Sequence, residues 1–384
     1  MKVLVTGAKG FVGRNLCLTL EQIPGIEVLK YDLGDEPKLD GYIAECDFVF
    51  HLAGVNRPKD PAEFKMGNTV FTEDILEKLS ARHNPPPVLL SSSIQAALDN
   101  DYGRSKALAE DAVRAYGEKT GTPVFIYRLA NVFGKWCRPN YNSAVATWVY
   151  NIARDLPIMV RDPAATVTLV YIDDVVKSFI SHVERVDRVD GEADDSTRST
   201  CSTRLNYLSV EPSYTKTLGE IVELIKSFHD EPQNLMVPDQ ADGFTKKLYS
   251  TYLAALPGDK FSYPLTMHCD SRGSFTEALH SVERGQVSVN VSKPGIAKGQ
   301  HWHHTKHEKF LVVSGRGEIN FRMADDPNGN VITYKVCGEK FEVVRIPPGY
   351  THNIVNVGDT DMVTLMWANE VFDPANPDTF RLEV

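Results

Sequence analysis

The chain has 384 residues, 42% hydrophobic and 24% charged, too long for one ordinary domain and suited to two with real cores. A net charge of −10 and a pI near 5.6 exclude nucleic acid or anionic membrane as the main partner, so any phosphate must be held locally. No apolar run reaches membrane-spanning length, the first residues read as a strand and not a signal peptide, and six scattered cysteines lack a C-x-x-C pair; a cytoplasmic chain with free thiols is expected.

The first predicted element is Lys2–Gly13. Val3, Leu4 and Val5 form an apolar strand, and Gly7, Gly10 and Gly13 follow at three-residue spacing. Glycines there permit a sharp turn and let a pyrophosphate approach the backbone, while the helix opening near Gly10 offers free N–H groups to the anion. The same pattern also serves an ordinary strand-to-helix turn, but its position directly after an initial strand predicts dinucleotide binding. A second strand, Glu27–Tyr31, ends at Asp32, where an acid favours the free 2′-hydroxyl of NAD(H). Lys9 and Lys30 flank that acid, so NADP(H) stays open as well. The strand 47–52 runs into Ala53-Gly54-Val55-Asn56-Arg57-Pro58, a loop of small residues past which the nicotinamide half can run, or a plain turn.

Val88–Leu90 is a further buried strand ending in Ser91-Ser92-Ser93, and Tyr102 and Lys106 follow, four apart at the start of a helix. That spacing puts phenol and ammonium on one helix face. A neighbouring cation stabilises a phenolate, so proton transfer with a substrate hydroxyl becomes feasible near neutrality, and a serine at the strand end can orient the same oxygen. A Tyr-x-x-x-Lys pair is common on solvated helices. Behind a glycine turn and a serine run it points to catalysis.

With these residues the chain resembles the extended short-chain dehydrogenase/reductase family, whose nucleotide-sugar members reduce, epimerise or dehydrate sugars. The resemblance covers about residues 1–240 and rests on Thr6–Gly13, His51–Gly54, Ser93, Tyr102, Lys106, Arg128–Gly134 and Val170–Asp174. It implies a Rossmann-type doubly wound parallel sheet with Ser93, Tyr102 and Lys106 catalytic. It further implies a cofactor seat at Gly7, Lys9, Gly10, Phe11, Val12 and Gly13, joined by Asp32, Leu52, Ala53 and Gly54. Asn56, Arg57, Ser92, Asn131, Asn142 and Ser143 are then expected toward a UDP-sugar substrate. Dehydratases of the family place an Asp-Glu pair after the active-site hydroxyl. Here Ile94 and Gln95 follow Ser93, which disfavours dehydration for want of an acid.

Residues 136–148 mix aromatics with Asn140, Asn142 and Ser143, which fits sugar and uracil contact or a capping loop. The segment 184–205 is charged and Ser/Thr-rich and reads as a surface insertion. Helical spacing returns at 218–228 and at 244–256; residues 1–243 are expected as the reductase domain and 244–260 as an interdomain helix and linker.

From 261 to 384 short apolar or alternating runs (286–291, 309–313, 318–323, 341–346, 362–367) predict an all-β sandwich or barrel. Two clusters lie inside it: Gly295-x5-His301-x-His303-x4-Glu308-x6-Gly315, and Pro347-x-Gly349-x2-His352-x3-Asn356. His301 and His303 share a strand face, and Glu308 and His352 complete a ligand set suited to zinc or another divalent metal. Both clusters resemble the two motifs of the cupin (jelly-roll) family, lacking only a glycine before Pro347. Cupin sugar epimerases work at the same position with a histidine base and no metal, and Asp270-x-Arg272-Gly273-Ser274-Phe275-x-Glu277 is similar to their opening segment. His304, His307 and Tyr350 lie nearby in sequence, unranked as acid or base.

A reductase followed by a cupin resembles the bifunctional enzymes of capsular polysaccharide biosynthesis. That resemblance implies NADPH, a cupin zinc and two reactions on a UDP-4-keto-2-acetamido-2,6-dideoxyhexose: C3 epimerisation, then C4 reduction. A homodimer is also expected. The alternatives are an NAD-dependent C4 epimerase, a cupin that only binds sugar or pairs subunits, and a non-enzymatic redox sensor.

Overall fold

Lys2–Thr6 forms strand β1, buried from Val3 onward because it lies inside the sheet between two other strands. β2 (Glu27–Tyr31) and β3 (Phe48–His51) pair with it in parallel, and β4 (Val88–Ser93) and β5 (Val124–Leu129) extend the sheet in the order β2-β1-β3-β4-β5. One face packs Leu4, Val49, Leu90 and Ile126 against Ile75, Leu79, Val113 and Tyr116 of flanking helices. On the other, Phe50 stacks on Phe179 of the helix Ile172–Val189, ring centres 6.1 Å apart. Helices on both faces make the sheet doubly wound, with the order reversing between β1 and β3; ligands seat at such a reversal. The Rossmann-type expectation is therefore borne out.

A small second sheet, absent from the sequence reading, joins β6 (Asn131–Phe133), β7 (Thr166–Tyr171) and β8 (Ser213–Thr217). The computed structural model describes residues 1–189 and 207–384; the presumed insertion begins within the helix ending at Val189, and its remainder lies outside the described residues.

Contacts divide the chain into two units, Met1–Ile225 with Lys247–Leu256, and Lys226–Lys246 with Pro257–Val384. The second is antiparallel. Its strands are β9 (Met267–Asp270), β10 (Gly273–Ser281), β11 (Gly285–Ser292), β12 (Ala297–Trp302), β13 (Glu308–Ser314), β14 (Arg316–Met323), β15 (Ile332–Cys337), β16 (Val343–Ile346), β17 (Tyr350–Asn356), β18 (Met362–Ala368) and β19 (Phe380–Arg381). They form two sheets, β16-β13-β18-β11-β10-β9 and β15-β14-β17-β12-β19. Phe310, Val344, Ile346 and Met362 of the first meet Ile319, Phe321, Val336 and Ile354 of the second in one apolar core. This is the jelly-roll sandwich expected of a cupin.

Candidate active site and candidate metal centre

Gly7 leaves β1 at φ 72°, and a Cβ there would stand 2.8 Å from the Ala53 nitrogen; at Gly13 it would stand 2.1 Å from the Gly7 oxygen. Glycine is required at both positions. The helix Phe11–Leu20 then starts at Gly10 with no side-chain cap, so its first N–H groups stay open to an anion. Beside this turn lies a cavity of about 570 Å³ lined by Lys9, Arg14, Lys30, Asp32, Asp35 and Trp136, among others. The Arg14 guanidinium sits 5.2 Å from the centre of the Trp136 ring. Asp32 is turned back on the turn, accepting the Lys9 main-chain N–H at 2.6 Å and that of Leu33 at 2.9 Å.

Asn100 caps the helix Asp101–Thr120 by accepting the Gly103 N–H, which fixes where Tyr102 and Lys106 emerge. Burial pushes the Tyr102 phenol above its usual range, and a hydrogen bond with Ser93 opposes that rise. Lys106 is 6% exposed and donates to the Ser91 carbonyl at 3.2 Å. Burial brings its pKa down to about 8, with Glu110 pulling the other way. The three serines of β4 thus divide their work: Ser91 holds the lysine through its backbone, Ser92 donates to Glu110 at 2.5 Å, and Ser93 meets the phenol.

Several supporting residues escaped the sequence reading. Glu110, 1% exposed, also accepts Arg128 in a fork (3.0 and 2.7 Å), tying the helix Asp101–Thr120 to β5. Its place one turn after Lys106 was the available signal. Asn68, in a π-helical turn (Lys65–Val70), accepts the Val55 N–H and donates to the Val55 carbonyl and the Ser105 hydroxyl. It fastens the loop after β3 to the helix Asp101–Thr120, and a Cβ on Gly54 would meet Asn68 Oδ1 at 2.8 Å and Lys106 Nζ at 3.1 Å. His51 bridges Thr6 and Thr72, 2.8 Å to each, and burial lowers its pKa to about 3.

Of the other expected residues, Leu52 and Ala53 directly follow β3, while Asn56, Arg57, Asn131 and Asn142 are exposed. Ser143 caps the helix Ala144–Ile152 through the Ala146 N–H, as a capping loop requires.

In the sandwich a register shift between Gly299 and His301, with Gln300 at φ 63°, brings His301 opposite His352 of β17. The ring centres of His301 stand 4.9 Å from His303 and 4.6 Å from His352. Glu308 lies on the same inward parity of β13 as Phe310 and Val312, so it arrives buried at the end of the core. One donor atom from each of the four residues lies within 4.8 Å of the others. His303 Nε2 and His352 Nε2 each stand 3.5 Å from Glu308 Oε2, ion-pair separations too long for good hydrogen bonds, and all three atoms are buried without a hydrogen-bond partner. Burial works against a Glu308 charge, yet the two imidazoles hold its carboxyl well below the usual range. His301 is driven down to about 4, first by burial and then by His352, and so is neutral at pH 7. Lone-pair nitrogens and a carboxylate aimed at one point, each lacking a partner, fit a divalent transition metal. A cavity of about 410 Å³ opens over this cluster, lined also by His268, Arg272, Lys298 and Lys306. Lys298 donates to Asn290 Oδ1 and to two carbonyls, holding its charge in the wall. His304, His307 and Tyr350 do not line it; His304 packs edge-to-face with Trp302 and Phe380, His307 edge-to-face with Trp367, and Tyr350 packs on the core.

A dinucleotide-type turn with a half-buried serine and tyrosine and a buried lysine beyond it, and a separate histidine-carboxylate sandwich, define a short-chain dehydrogenase/reductase joined to a cupin. Residues 3–193 match the NAD dependent epimerase/dehydratase family and residues 268–380 the polysaccharide biosynthesis C-terminal domain. The chain is 47% identical over its full length to UDP-2-acetamido-2,6-beta-L-arabino-hexul-4-ose reductase of Pseudomonas aeruginosa, covering 99% of that protein. It superposes on the crystal structure of the capsular polysaccharide assembling protein CapF of Staphylococcus aureus with TM-score 0.89 and 48% identity, over all of both chains. The UDP-glucuronic acid 4-epimerase of Bacillus cereus, at 17% identity and TM-score 0.53, shares the fold over 66% of this chain. The chain belongs to the CapF family of two-domain capsular polysaccharide enzymes.

Proposed function

We propose that this chain is a bifunctional UDP-sugar enzyme of capsular polysaccharide biosynthesis. The cupin inverts C3 of a UDP-4-keto-2-acetamido-2,6-dideoxyhexose, and the reductase unit then reduces C4 to give UDP-2-acetamido-2,6-dideoxy-L-talose, on the route to UDP-L-FucNAc. The observation that carries it is the half-buried Tyr102 phenol, its pKa raised by burial and lowered by Ser93, with buried Lys106 one turn away on the same helix. The P. aeruginosa relative is named for reduction of such a ketone.

Both reactions use one functional group. A 4-keto group acidifies the C3 proton, so removal and return of that proton inverts the centre, and the same ketone accepts hydride afterwards. The Gly7–Gly13 turn and the uncapped helix start at Gly10 would hold a reduced nicotinamide cofactor, which would supply the hydride. Ser93 and Tyr102 hold the ketone oxygen; Tyr102 gives it a proton as negative charge develops, and the Lys106 ammonium stabilises the phenolate left behind. Lys106 would also donate to the nicotinamide ribose. In the cupin, His301, His303, Glu308 and His352 would hold zinc or another divalent ion, which would supply Lewis-acid stabilisation to a ketone whose C3 proton is being removed.

NADPH is the cofactor in this reading, since Lys9, Arg14 and Lys30 line the cavity beyond Asp32 and offer cations to a 2′-phosphate. A homodimer fits too: Phe261, Tyr263, Leu265 and Met267 alternate along a segment ending in edge strand β9, and all four are exposed. Tyr102→Phe is expected to lower ketone reduction about 10²–10⁴-fold while C3 proton exchange persists. Retained reduction refutes the role, and turnover without external reduced nicotinamide favours an NAD-retaining C4 epimerase.

A further inference from the structure

We propose that Asp378 is a positioning residue for the cupin ligand set, locking His303 and the loop that joins it to Glu308; the inference rests on the divalent-metal reading of that site. Asp378 lies 75 positions after His303 and touches it through the main chain, its carbonyl accepting a hydrogen bond from His303 Nδ1. That bond fixes the tautomer: Nδ1 carries the proton, so Nε2 keeps its lone pair and faces Glu308 Oε2.

The Asp378 side chain does the second half of the work. Its carboxylate accepts the main-chain N–H groups of His304 (2.8 Å), Thr305 (2.7 Å) and Lys306 (2.8 Å), and the Thr305 hydroxyl (3.0 Å). Three successive N–H groups form a concavity for an anion, filled here by the protein's own carboxylate. The loop so gripped has a ligand at each end, His303 before it and Glu308 after it. Asp378 is itself anchored, because Phe380 and Arg381 pair as β19 with Trp302 and His301, and the Leu382 N–H bonds to the Gln300 carbonyl at 3.0 Å. One residue therefore sets the ring orientation of one ligand and the spacing between two. Without the carboxylate, three N–H groups lose their acceptor and the loop is free to turn His303 away.

The test is zinc affinity of the intact chain, measured by competition with a chelating dye for the parent, Asp378→Asn and Asp378→Ala, alongside cobalt(II) absorption spectra and melting of the metal-free proteins. The Ala variant is expected to bind zinc about 10–100-fold more weakly, with altered cobalt d–d bands and Asn intermediate. Should Ala fail to fold, the Asn variant decides. Equal zinc affinity and superimposable cobalt spectra, with or without a lower melting temperature, make the carboxylate merely structural and overturn the proposal. A parent chain that binds no zinc overturns the metal reading itself, and this inference with it.

Discussion

Around Tyr102 the buried polar groups have partners within the protein: Lys106 has the Ser91 carbonyl, Ser92 and Arg128 have Glu110, and His51 has two threonines. Around His301 the reverse holds, with His303 Nε2, His352 Nε2 and Glu308 Oε2 buried against one another and unpartnered. A buried polar group without a partner costs about 1–3 kcal/mol, more when charged. A site that closes its own hydrogen bonds can run chemistry on its side chains once a cofactor lies beside them. A site that leaves such converging atoms open is shaped for an ion.

Lys106→Met breaks the first site most severely. Reduction is expected to fall at least 10²-fold while C3 exchange in the cupin is untouched, as steady-state assay and exchange by mass spectrometry report. The same change should stabilise the fold. Lys106 is shifted from 10.5 to about 8, so the unfolded chain binds the extra proton between those values, and stability is expected to rise with pH across that window. In the Met variant that slope vanishes and the chain gains about 1–2 kcal/mol at pH 7, read by urea unfolding.

The glycine turn, the Tyr102–Lys106 pair and the four clustered cupin residues were legible because each set lies in one segment or two motifs with fixed spacing. The three-serine run was legible only in part. Sequence gave the choice of Ser93, and only the fold shows Ser92 turned to Glu110. Arg128 was legible as part of a motif but its pairing with Glu110 was not, and Asn68 and Asp378 were not legible, since their partners lie 13 and about 75 residues away and nothing local marks them. The strand expected through His301 and His303 ends at Trp302, so His303 lies in the loop beyond it, and β17 was hidden among polar residues.

Both sites keep an imidazole neutral, and acid tests how. His51 falls from 6.5 to about 3 and His301 from 6.5 to about 4, chiefly through burial. Below pH 6.5 the unfolded chain binds the protons that these rings refuse, so stability is lost as pH falls toward those values, at most about 1.4 kcal/mol per pH unit for each ring. Unfolding between pH 7 and 5 is expected to show this slope, reduced in His51→Gln. The smallest expected effect lies in the cofactor cavity. Replacing Lys9 and Arg14 with alanine is expected to raise KM for NADPH about tenfold, or about 1.4 kcal/mol, with KM for NADH little changed. Equal losses with both cofactors would show that the two cations do not read the 2′-phosphate.

The division of labour is tested most directly by deuterium entry at C3 of the UDP-4-keto sugar in heavy water, with no nicotinamide present. Metal-stripped chain is expected to exchange nothing, zinc-reloaded chain to exchange fully, and the Tyr102→Phe variant to exchange as the parent does. Exchange that survives stripping, or that disappears with the tyrosine hydroxyl, would contradict the account.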